Sequence, residues 1–575
     1  MKNKNLIFTA ITTFVFAIGS MAQNVLSWGT YYTGIGQVWP NGEDRGNSCI
    51  TDASGNVYMV GFTSSNSDIA TAGAHQTVHA GGPISFGAGG YDAFLVKFNS
   101  SGVRQWATYY GGSENDMGKS CAIDASGNVY MMGVTASTSD IATAGAHETA
   151  VNDGFLVKFN SSGVRQWGTY FEGSGNFCTI DASGNVYIVG ITNSTSGIAT
   201  AGAHQTVMAG SGDAFLVKFN SSGVKQWGTY FGGAYIGGSG MEKGFSCATD
   251  AVGNIYMVGQ TPSSSGIATA GAHQTIFSGG AVDAFLVKFN PSGVMQWGTY
   301  YGSAGPDIGY SCATDASGNI YMAGDTQQES VPASSGMTTI GAHQSAYGGG
   351  YSDGFLVKFD FNGQRQWGTY YGGSLLDVAY SCATDASGNV YMSGGTQSST
   401  GIATTGSHQT AIGGVSNAFL VSFNSSGVRQ SGTYYGECVA IDCTTDASGN
   451  VYMAGYTQSN SGIATAGAHQ TVYGGTIYHD AFLVKFNGLT LGITEIVNEK
   501  LLSAYPNPAQ NIVNVKADTK LIGSVYTIYD NTGKLVLSGT IHAENTCVDL
   551  GNLTAGIYLF SAGENLKQTI KVIKK

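Results

Sequence analysis

Seven carboxylate side chains recur at one position of a repeating sequence and are the leading candidates for chemistry in this chain. Each lies five or six residues before a repeated cysteine: Asp44, Asp116, Glu172, Glu242, Asp307, Asp377 and Glu437. A ring of carboxylates could hold a hard cation such as Ca²⁺ or attract a basic partner. Alternatively, each carboxylate accepts hydrogen bonds from its own turn, as in Asx-turns, and repetition at seven equivalent positions favours this alternative.

Other recurrent residues resemble metal ligands only superficially. Seven histidines occupy one position in successive copies of the repeat: His75, His147, His204, His273, His343, His408 and His469. Metal coordination needs ligands within about 2 Å of one ion, whereas one histidine per copy spreads them apart, so we predict structural loop histidines. The recurrent Asp-x-Ser-Gly-Asn phrase lacks the alternating acidic ligands of a calcium loop and is predicted to be a hairpin turn.

No catalytic residue can be assigned from the sequence. Catalysis needs an acid, base or nucleophile at one place with an environment that shifts its pKa. The candidate residues here recur in every copy instead. Neither a His-Glu-x-x-His motif nor a phosphate-binding loop is present.

These candidates belong to a unit that occurs seven times. The phrase Asp-Ala-Ser-Gly-Asn-Val/Ile-Tyr, with one substitution, starts at Asp52, Asp124, Asp181, Asp250, Asp315, Asp385 and Asp446. Successive starts are 57 to 72 residues apart, which is enough for a four-stranded sheet. Self-similarity at such a period is typical of a propeller or a repeat array.

Each copy is predicted to form four β-strands. In order they contain Ser-Cys-Ala-Thr-Asp, Asn-Val-Tyr-Met-x-Gly-x-Thr, Asp-Ala-Phe-Leu-Val-Lys-Phe-Asn and Val-Arg-Gln-Trp-Gly-Thr-Tyr-Tyr, with Gly-bearing hairpin links after the first and third. A lone fourth strand opens the array at Ser27–Tyr32, and a lone third strand ends it at Asp480–Asn487. Because these two strands can complete one sheet, we predict an all-β, seven-bladed β-propeller with four-stranded blades, closed by the N-terminal strand.

The repeat also resembles a known family. The phrases Thr-Tyr-Tyr-Gly-Gly-Ser, Gly-Ala-His-Gln-Thr and Gly-Asp-Ala-Phe-Leu-Val-Lys-Phe-Asn, together with the Asp-Ala-Ser-Gly-Asn phrase, are similar to the bacterial SBBP-type β-propeller repeat over about residues 26–487. That resemblance implies an architecture and no general catalytic activity. The family commonly has Tyr where this chain has the repeated His.

The cysteines are predicted to be reduced. Seven of the nine lie three residues before the repeat Asp: Cys49, Cys121, Cys178, Cys247, Cys312, Cys382 and Cys443. Equivalent positions in successive blades point the same way, which makes pairing geometrically unfavourable. We predict small buried side chains, and a disulfide between Cys438 and Cys443 stays open as a lesser alternative.

The N-terminus and the composition indicate an exported protein. Residues 1–22 combine Lys2 and Lys4, an apolar stretch from Leu6 to Ile18 and a small-x-small site, which predicts a secretory signal peptide. No stretch of about 20 apolar residues follows it, so no transmembrane segment is predicted. The net charge of −12 and the absence of Lys/Arg clusters argue against nucleic acid as a partner.

The repeat stops near Gly488, and a second module follows. We predict a propeller over residues 23–488, a linker over 489–500 and a small Ig-like β-sandwich over 501–575. Its Tyr-Pro-Asn-Pro opening, Asp-Asn-Thr-Gly-Lys turn and Lys-Val-Ile-Lys-Lys ending resemble the type IX secretion C-terminal sorting domain of Bacteroidota. That resemblance implies the type IX machinery as partner, export across the outer membrane, removal of the module, and release or attachment to the cell surface.

The sequence leaves three functions open. The preferred hypothesis is a non-catalytic binding or adhesion scaffold for a glycan, protein or matrix component. It would bind through the variable face, where the loops after the second and fourth strands differ from copy to copy. The alternatives are a polysaccharide-active hydrolase or lyase with a site in the axial funnel, and a structural surface-layer element. No cofactor is predicted beyond the Ca²⁺ considered for the carboxylates. An asymmetric pair of carboxylates in a deep funnel would favour the enzyme, whereas a shallow, aromatic-rich variable face would favour binding.

Overall fold

The computed structural model describes residues 22–23, 25–37, 43–81, 90–233, 240–327, 336–474, 478–488, 490–491, 502–530, 534–562 and 568–575. The predicted signal peptide apart from residue 22, nearly all of the predicted linker and parts of the longest loops lie outside these residues. The chain divides into two compact units, Met1–Leu491 and Gly492–Lys575.

The described part of the first unit contains seven antiparallel four-stranded sheets, numbered here as blades 1 to 7. Their strands, from first to fourth, are Asp44–Thr51, Val57–Thr63, Asp92–Phe98 and Arg104–Tyr110 in blade 1; Asp116–Ile123, Val129–Thr135, Gly154–Phe159 and Arg165–Phe171 in blade 2; Ser174–Ile180, Val186–Thr192, Asp213–Phe219 and Lys225–Phe231 in blade 3; Lys243–Thr249, Ile255–Thr261, Asp283–Phe289 and Met295–Tyr301 in blade 4; Asp307–Thr314, Ile320–Gln327, Ser352–Phe359 and Arg365–Tyr371 in blade 5; Asp377–Thr384, Val390–Thr396, Asn417–Phe423 and Arg429–Tyr435 in blade 6; and Cys438–Thr445, Val451–Thr457, Asp480–Phe486 and Leu26–Tyr32 in blade 7.

The ring is closed by the N-terminal strand, as the orphan strands predicted. Leu26–Tyr32 pairs antiparallel with Asp480–Phe486, and Trp28 lies opposite Lys485. The first strand of each blade contacts the first strand of the next, and that of blade 7 contacts that of blade 1. The predicted all-β propeller is therefore confirmed. Two short pairs accompany it, Ala22–Gln23 with Thr490–Leu491 and Ile35–Gln37 with Ser65–Ser67.

Local hydrogen bonds fix the hairpin between the first two strands. In blade 1, Asp52 Oδ1 accepts from the backbone N–H groups of Ser54 and Asn56, both at 2.9 Å. Asn56 Nδ2 donates to Asp52 Oδ2 at 2.7 Å, and Gly55 supplies the positive φ that the turn requires. The repeated Asp is therefore a turn residue, as predicted.

Each blade packs onto the next through aromatic side chains. Tyr110 of blade 1 contacts Phe155 and Phe159 of blade 2, and its hydroxyl donates to the Ile141 carbonyl at 2.7 Å. All three rings are fully buried. The paired tyrosines of the fourth strand thus fill the space between blades, and they satisfy their hydroxyls there.

A cross-strand Lys–Trp pair adds a second inter-blade contact. In blade 1, Lys97 lies opposite Trp106, and both side chains donate to the Ser161 carbonyl of blade 2. The Lys97 ammonium also lies 4.8 Å from the Tyr58 ring centroid. The equivalent pairs are Lys158–Trp167, Lys218–Trp227, Lys288–Trp297, Lys358–Trp367 and Lys485–Trp28.

Blade 6 departs from this pattern in both residues at once. Ser422 and Ser431 stand opposite each other where the other blades have Lys and Trp. The third strand of blade 7 ends at Phe486, and its fourth strand comes from the other end of the chain. No hairpin turn joins these two strands, so blade 7 lacks the turn that receives the Lys–Trp pair at the other junctions.

The cysteines are reduced in the structure. All nine are free, the seven repeat cysteines and Cys438 are buried, and Cys547 is exposed. The Cys438–Cys443 disulfide is therefore not formed. Burial raises the pKa of the Cys178 thiol to about 12, which suppresses the reactive thiolate.

We expect a thiol reagent to modify one cysteine in the native full chain and all nine after denaturation, because Cys547 alone is exposed. Quantitative labelling followed by peptide mass spectrometry measures this. A disulfide between two repeat cysteines in the unreduced protein would contradict it.

The second unit is a small two-sheet β-domain, which fits the predicted Ig-like sandwich. One sheet contains Leu502–Tyr505, Ile512–Ala517 and Asn545–Asp549; the other contains Leu535–Thr540, Val525–Tyr529, Gly556–Ala562 and Gln568–Lys574, and a 3₁₀ turn spans Thr519–Leu521. Its own core includes the fully buried Val513, Ile528 and Phe560.

Candidate functional site

Five of the seven candidate carboxylates are buried and bonded to their own loops. Asp116 is fully buried, and its Oδ2 accepts from Gly112 N and Ser137 Oγ, both at 2.8 Å. Asp377 repeats this arrangement with Gly373 N and Ser398 Oγ, both at 2.7 Å. Asp44, Glu242 and Asp307 are also buried and accept from neighbouring loop groups. This geometry agrees with the alternative in which each carboxylate accepts hydrogen bonds from its own turn.

The other two carboxylates are more accessible. Glu172 is half-buried and Glu437 is exposed.

Burial raises the pKa of two of the buried carboxylates, Asp116 to about 6 and Asp307 to about 8, because it disfavours the charged form. Among the described residues, no group of three or more His, Cys, Asp or Glu side chains converges in a way that could hold a metal ion.

The repeated histidines are separated and packed against aromatic rings. His75, for example, lies 5.9 Å from the Phe159 ring and 6.2 Å from the Tyr110 ring, both measured between centroids. Burial lowers the pKa of His273 to about 4, and the nearby Arg365 adds to this effect. The structure thus gives these histidines an inter-blade packing role.

One Gly-x-Ser-x-Gly pentapeptide occurs, at Gly350–Gly354. Ser352 begins the third strand of blade 5, and its Oγ donates to the Asp377 carbonyl at 3.3 Å. A nucleophile elbow instead joins the end of a strand to a helix. This serine therefore lacks the structural context of a catalytic nucleophile.

A funnel on the propeller axis is the candidate functional site. Every first strand contains a β-bulge two residues before its cysteine, and the unpaired residues at these bulges are Asn47, Lys119, Asn176, Phe245, Tyr310, Tyr380 and Ile441. A bulge re-aims one side chain away from the regular alternation. All seven side chains line one cavity of about 230 Å³.

Small residues next to the bulge let the blades approach closely. A Cβ placed on Gly46 would lie 2.8 Å from Met59 Sδ and 3.2 Å from the Gly455 carbonyl oxygen of blade 7. One on Gly118 would lie 2.8 Å from the Gly61 carbonyl oxygen. At these positions the first strand of one blade thereby packs closely against the second strand of the preceding blade.

Hydrogen bonds between first strands stabilise the wall of the funnel. Ser381 Oγ accepts from Cys443 N at 3.1 Å, and Ser120 Oγ accepts from Cys178 N at the same distance. At the junction of blades 7 and 1 this position is Asp442, whose Oδ2 accepts from Cys49 N at 3.0 Å. Its Oδ1 accepts from Ser381 Oγ at 2.8 Å. Asp442 is the one carboxylate among the described cavity-lining residues, and it is engaged in the wall.

One side of the funnel is aromatic. The Tyr310 ring lies 5.4 Å from the Phe245 ring and 5.5 Å from the Tyr380 ring, measured between centroids. Burial raises the pKa of Tyr310, and the buried Asp325 beside it adds to the effect. We call Phe245, Tyr310 and Tyr380 the aromatic wall.

The opposite side is polar and basic. Asn47 Nδ2 donates to the Gly118 carbonyl at 2.8 Å, and Asn176 Nδ2 donates to the Gly244 carbonyl at 2.9 Å. Each amide is thus oriented by the neighbouring bulge. Lys119 lies between these two blades, and its pKa is lowered by burial and by the Arg45 charge. We call Asn47, Lys119 and Asn176 the polar wall.

A charged cluster adjoins the polar wall. Arg45 Nη2 lies 2.5 Å from Glu43 Oε1, and its guanidinium carbon lies 4.2 Å from the Tyr456 ring centroid. His479 Nδ1 lies 3.1 Å from the same Glu43 oxygen. Although burial raises it, the hydrogen bond to His479 and the Arg45 charge together hold the pKa of Glu43 below its usual value.

The repeat pattern of the sequence does not identify these funnel residues. The position two residues before the repeat cysteine changes from Asn to Lys, Phe, Tyr and Ile while its neighbours stay nearly constant. That variation at an otherwise regular position was the available signal. Its direction toward the axis depends on the bulge, which the repeat pattern does not reveal.

Both parts of the chain match known family models. Residues 105–139 and 296–328 match the beta-propeller repeat SBBP, and residues 503–575 match the secretion system C-terminal sorting domain. Among curated proteins, an uncharacterized WD repeat-containing protein of Acanthamoeba polyphaga mimivirus is 22% identical over 426 residues, 61% of this chain and 30% of that protein. The regulatory protein FlaEY of Caulobacter vibrioides is 26% identical over 185 residues, 31% of this chain and 18% of that protein. The chain therefore spans less than a third of either relative.

Solved structures show weaker similarity. PorZ, a surface component of the type-IX secretion system of Porphyromonas gingivalis, aligns with a TM-score of 0.34 and 11% identity over 91% of this chain and 58% of that chain. BamB of Moraxella catarrhalis aligns with a TM-score of 0.31 and 11% identity over 71% of this chain and 95% of that chain. These similarities are too low to carry a functional argument.

A closed ring of four-stranded antiparallel sheets around an axial funnel defines a β-propeller protein. This one carries SBBP beta-propeller repeats and ends in a type IX secretion C-terminal sorting domain. Such a sorting domain indicates export to the cell surface or secretion. Within the described residues, no helix has the length and apolar character to cross a membrane.

Proposed function

We propose that the propeller is a non-catalytic binding scaffold for a glycan, protein or matrix component, and that the axial funnel is its binding site. The observation that carries this proposal is the asymmetry of the funnel, where an aromatic wall stands opposite a polar wall. A cavity with apolar rings and a few oriented polar groups is the usual form of a binding site. The described lining residues include one carboxylate, Asp442, and its oxygens are already engaged.

A binding role accounts for the loss of sevenfold symmetry at the funnel, where the residue type differs between blades more than at the inter-blade junctions. Trp, Tyr and Lys at the junctions repeat because each blade meets its neighbour in the same way. The bulge residues instead line one shared space on the axis, and their residue types differ from blade to blade. Exchange of Tyr310 should therefore alter ligand affinity more than stability.

The test is a glycan-array and pull-down screen of the full secreted chain, with turnover assays on the same polysaccharides. We expect a ligand without turnover. Tyr310→Ala should weaken binding by about tenfold or more, as expected for a buried aromatic contact. Tyr351→Ala is the matched control, because Tyr351 is 68% exposed and does not line the funnel.

Two outcomes would overturn the proposal. Turnover of a bound polysaccharide that is lost in Tyr310→Ala would indicate the enzyme alternative. Equal affinity of Tyr310→Ala and Tyr351→Ala for the ligand would place binding elsewhere on the molecule.

A further inference from the structure

The Lys119 side chain is the least explained group in the funnel. It projects from a bulge into the cavity and is half-buried. Within the part of the chain that the structure describes, no hydrogen bond or ion pair engages its ammonium group. Several other lysines of the propeller are engaged: Lys97, Lys158 and Lys358 each donate to a carbonyl and pair with an Asp.

The surroundings of Lys119 add further positive charge. Burial lowers the pKa of Lys119, and the nearby Arg45 charge lowers it further. Arg45 itself is held in place by Glu43 and by the Tyr456 ring. An ammonium group removed from water without a counter-charge is unfavourable. A ligand with a negatively charged group next to Lys119 would compensate this positive charge.

The aromatic wall restricts what else the ligand contains. Phe245, Tyr310 and Tyr380 offer ring surfaces, which suit a flat apolar face. Asn47 and Asn176 use their NH₂ groups on backbone carbonyls, which directs amide oxygens, as acceptors, toward other partners. A pyranose has both an apolar C–H face and a hydroxyl-bearing edge, so it matches both walls.

The cavity also disfavours an extended peptide. Its volume of about 230 Å³ is below the roughly 300–1,000 Å³ of most ligand pockets, so it accommodates a single ring. Main-chain pairing of a peptide requires a regular strand edge. Every first strand here is interrupted by a bulge, which discourages such pairing.

From these observations we propose that the funnel binds a hexuronate residue of an acidic polysaccharide, with its carboxylate at Lys119 and its ring against the aromatic wall. This inference rests on the proposed binding function and names the class of ligand. Arg45 is a positioning residue that adds positive potential beside Lys119.

Calorimetry with short oligomers of galacturonate, glucuronate, mannuronate and guluronate tests the inference on the full secreted chain. Each oligomer is compared with its methyl ester, which keeps the ring and removes the charge. We expect at least one acid oligomer to bind and its ester to bind roughly 10- to 100-fold more weakly, as a charge-assisted hydrogen bond predicts. Lys119→Met should weaken the acid by the same factor and leave the ester unchanged.

The control variant is Lys243→Met, which removes the same charge from a first strand but not from the cavity lining. It should leave the affinity within about twofold, because Lys243 does not line the cavity and a more distant charge is largely screened. Melting temperatures of all variants establish that they fold.

The outcomes separate this inference from the proposed function. Equal binding of acid and ester, or binding of neutral glycans or a protein alone, overturns the hexuronate inference while the binding scaffold stands. Absence of any glycan or protein ligand, or turnover of the polysaccharide, overturns the proposed function itself.

Discussion

Deletion of residues 23–33 is expected to open the ring and abolish its cooperative thermal transition. This segment contains the fourth strand of blade 7, whose Trp28, Tyr31 and Tyr32 are buried. Truncation of one large buried aromatic residue costs about 3–5 kcal/mol. Loss of three therefore matches the whole stability of a typical domain, about 5–15 kcal/mol. Calorimetry of the deleted chain beside a chain lacking only residues 1–22 measures the effect.

A point variant makes the same test without shortening the chain. Trp28 donates to the Ser100 carbonyl of blade 1 at 3.1 Å and covers Gly102 in the same turn. Trp28→Ala should destabilise the protein by about 3 kcal/mol or more. Ser431→Ala, at the equivalent position of blade 6, should change stability by less than about 1 kcal/mol. An unchanged melting temperature in both the deletion and Trp28→Ala would refute closure by the N-terminal strand.

The repeat itself made the fold predictable. Period, strand alternation and Gly-bearing turns each indicated the same four-stranded unit, and Asp52 shows that the predicted hairpin forms as expected. Closure followed from two incomplete units at the ends of the array. Agreement between local and global signals is what makes a sequence specify one architecture.

The sequence already contains Ser422 and Ser431 at the positions of the Lys–Trp pair. It does not show why Lys and Trp are replaced there. A Lys–Trp pair is useful only where the next blade supplies a turn to receive it. Blade 7 has no such turn, because its third and fourth strands come from opposite ends of the chain. The two substitutions are therefore explained by topology, and they independently mark the blade that closes the ring.

The candidate site was the least predictable part. The sequence shows a carboxylate before every repeat cysteine. It could not show that the Asp116 side chain is buried and accepts hydrogen bonds from Gly112 and Ser137. Burial decides whether a carboxylate binds a ligand or its own loop, and burial depends on the packed blades. The bulge at Lys119 similarly shifts one side chain out of the inward–outward alternation of a regular strand. The alternation of polar and apolar residues in the sequence does not reveal this shift.

Deletion of Leu501–Lys575 is expected to block export and leave the propeller folded. The sorting domain has its own two sheets and its own buried core, including Val513, Ile528 and Phe560. The blades have separate cores formed by the residues of adjacent sheets. Because neither core depends on residues of the other unit, loss of the tail should trap a folded protein in the periplasm. Cell fractionation with immunoblotting, and limited proteolysis of the periplasmic pool, measure both parts.

Two single variants test whether export requires the folded sorting domain or only the presence of its sequence. Phe560 is fully buried, so Phe560→Asp places a charge in the core and should unfold the domain and reproduce the export block. Ile557 is 49% exposed, and Ile557→Ala should be exported normally. The exported form should lack roughly the last 75–85 residues, by domain-size reasoning, because a cut in the predicted linker would leave the ring intact. Normal export of the truncated chain, or an extracellular protein that keeps its tail, would show that this module is an ordinary domain.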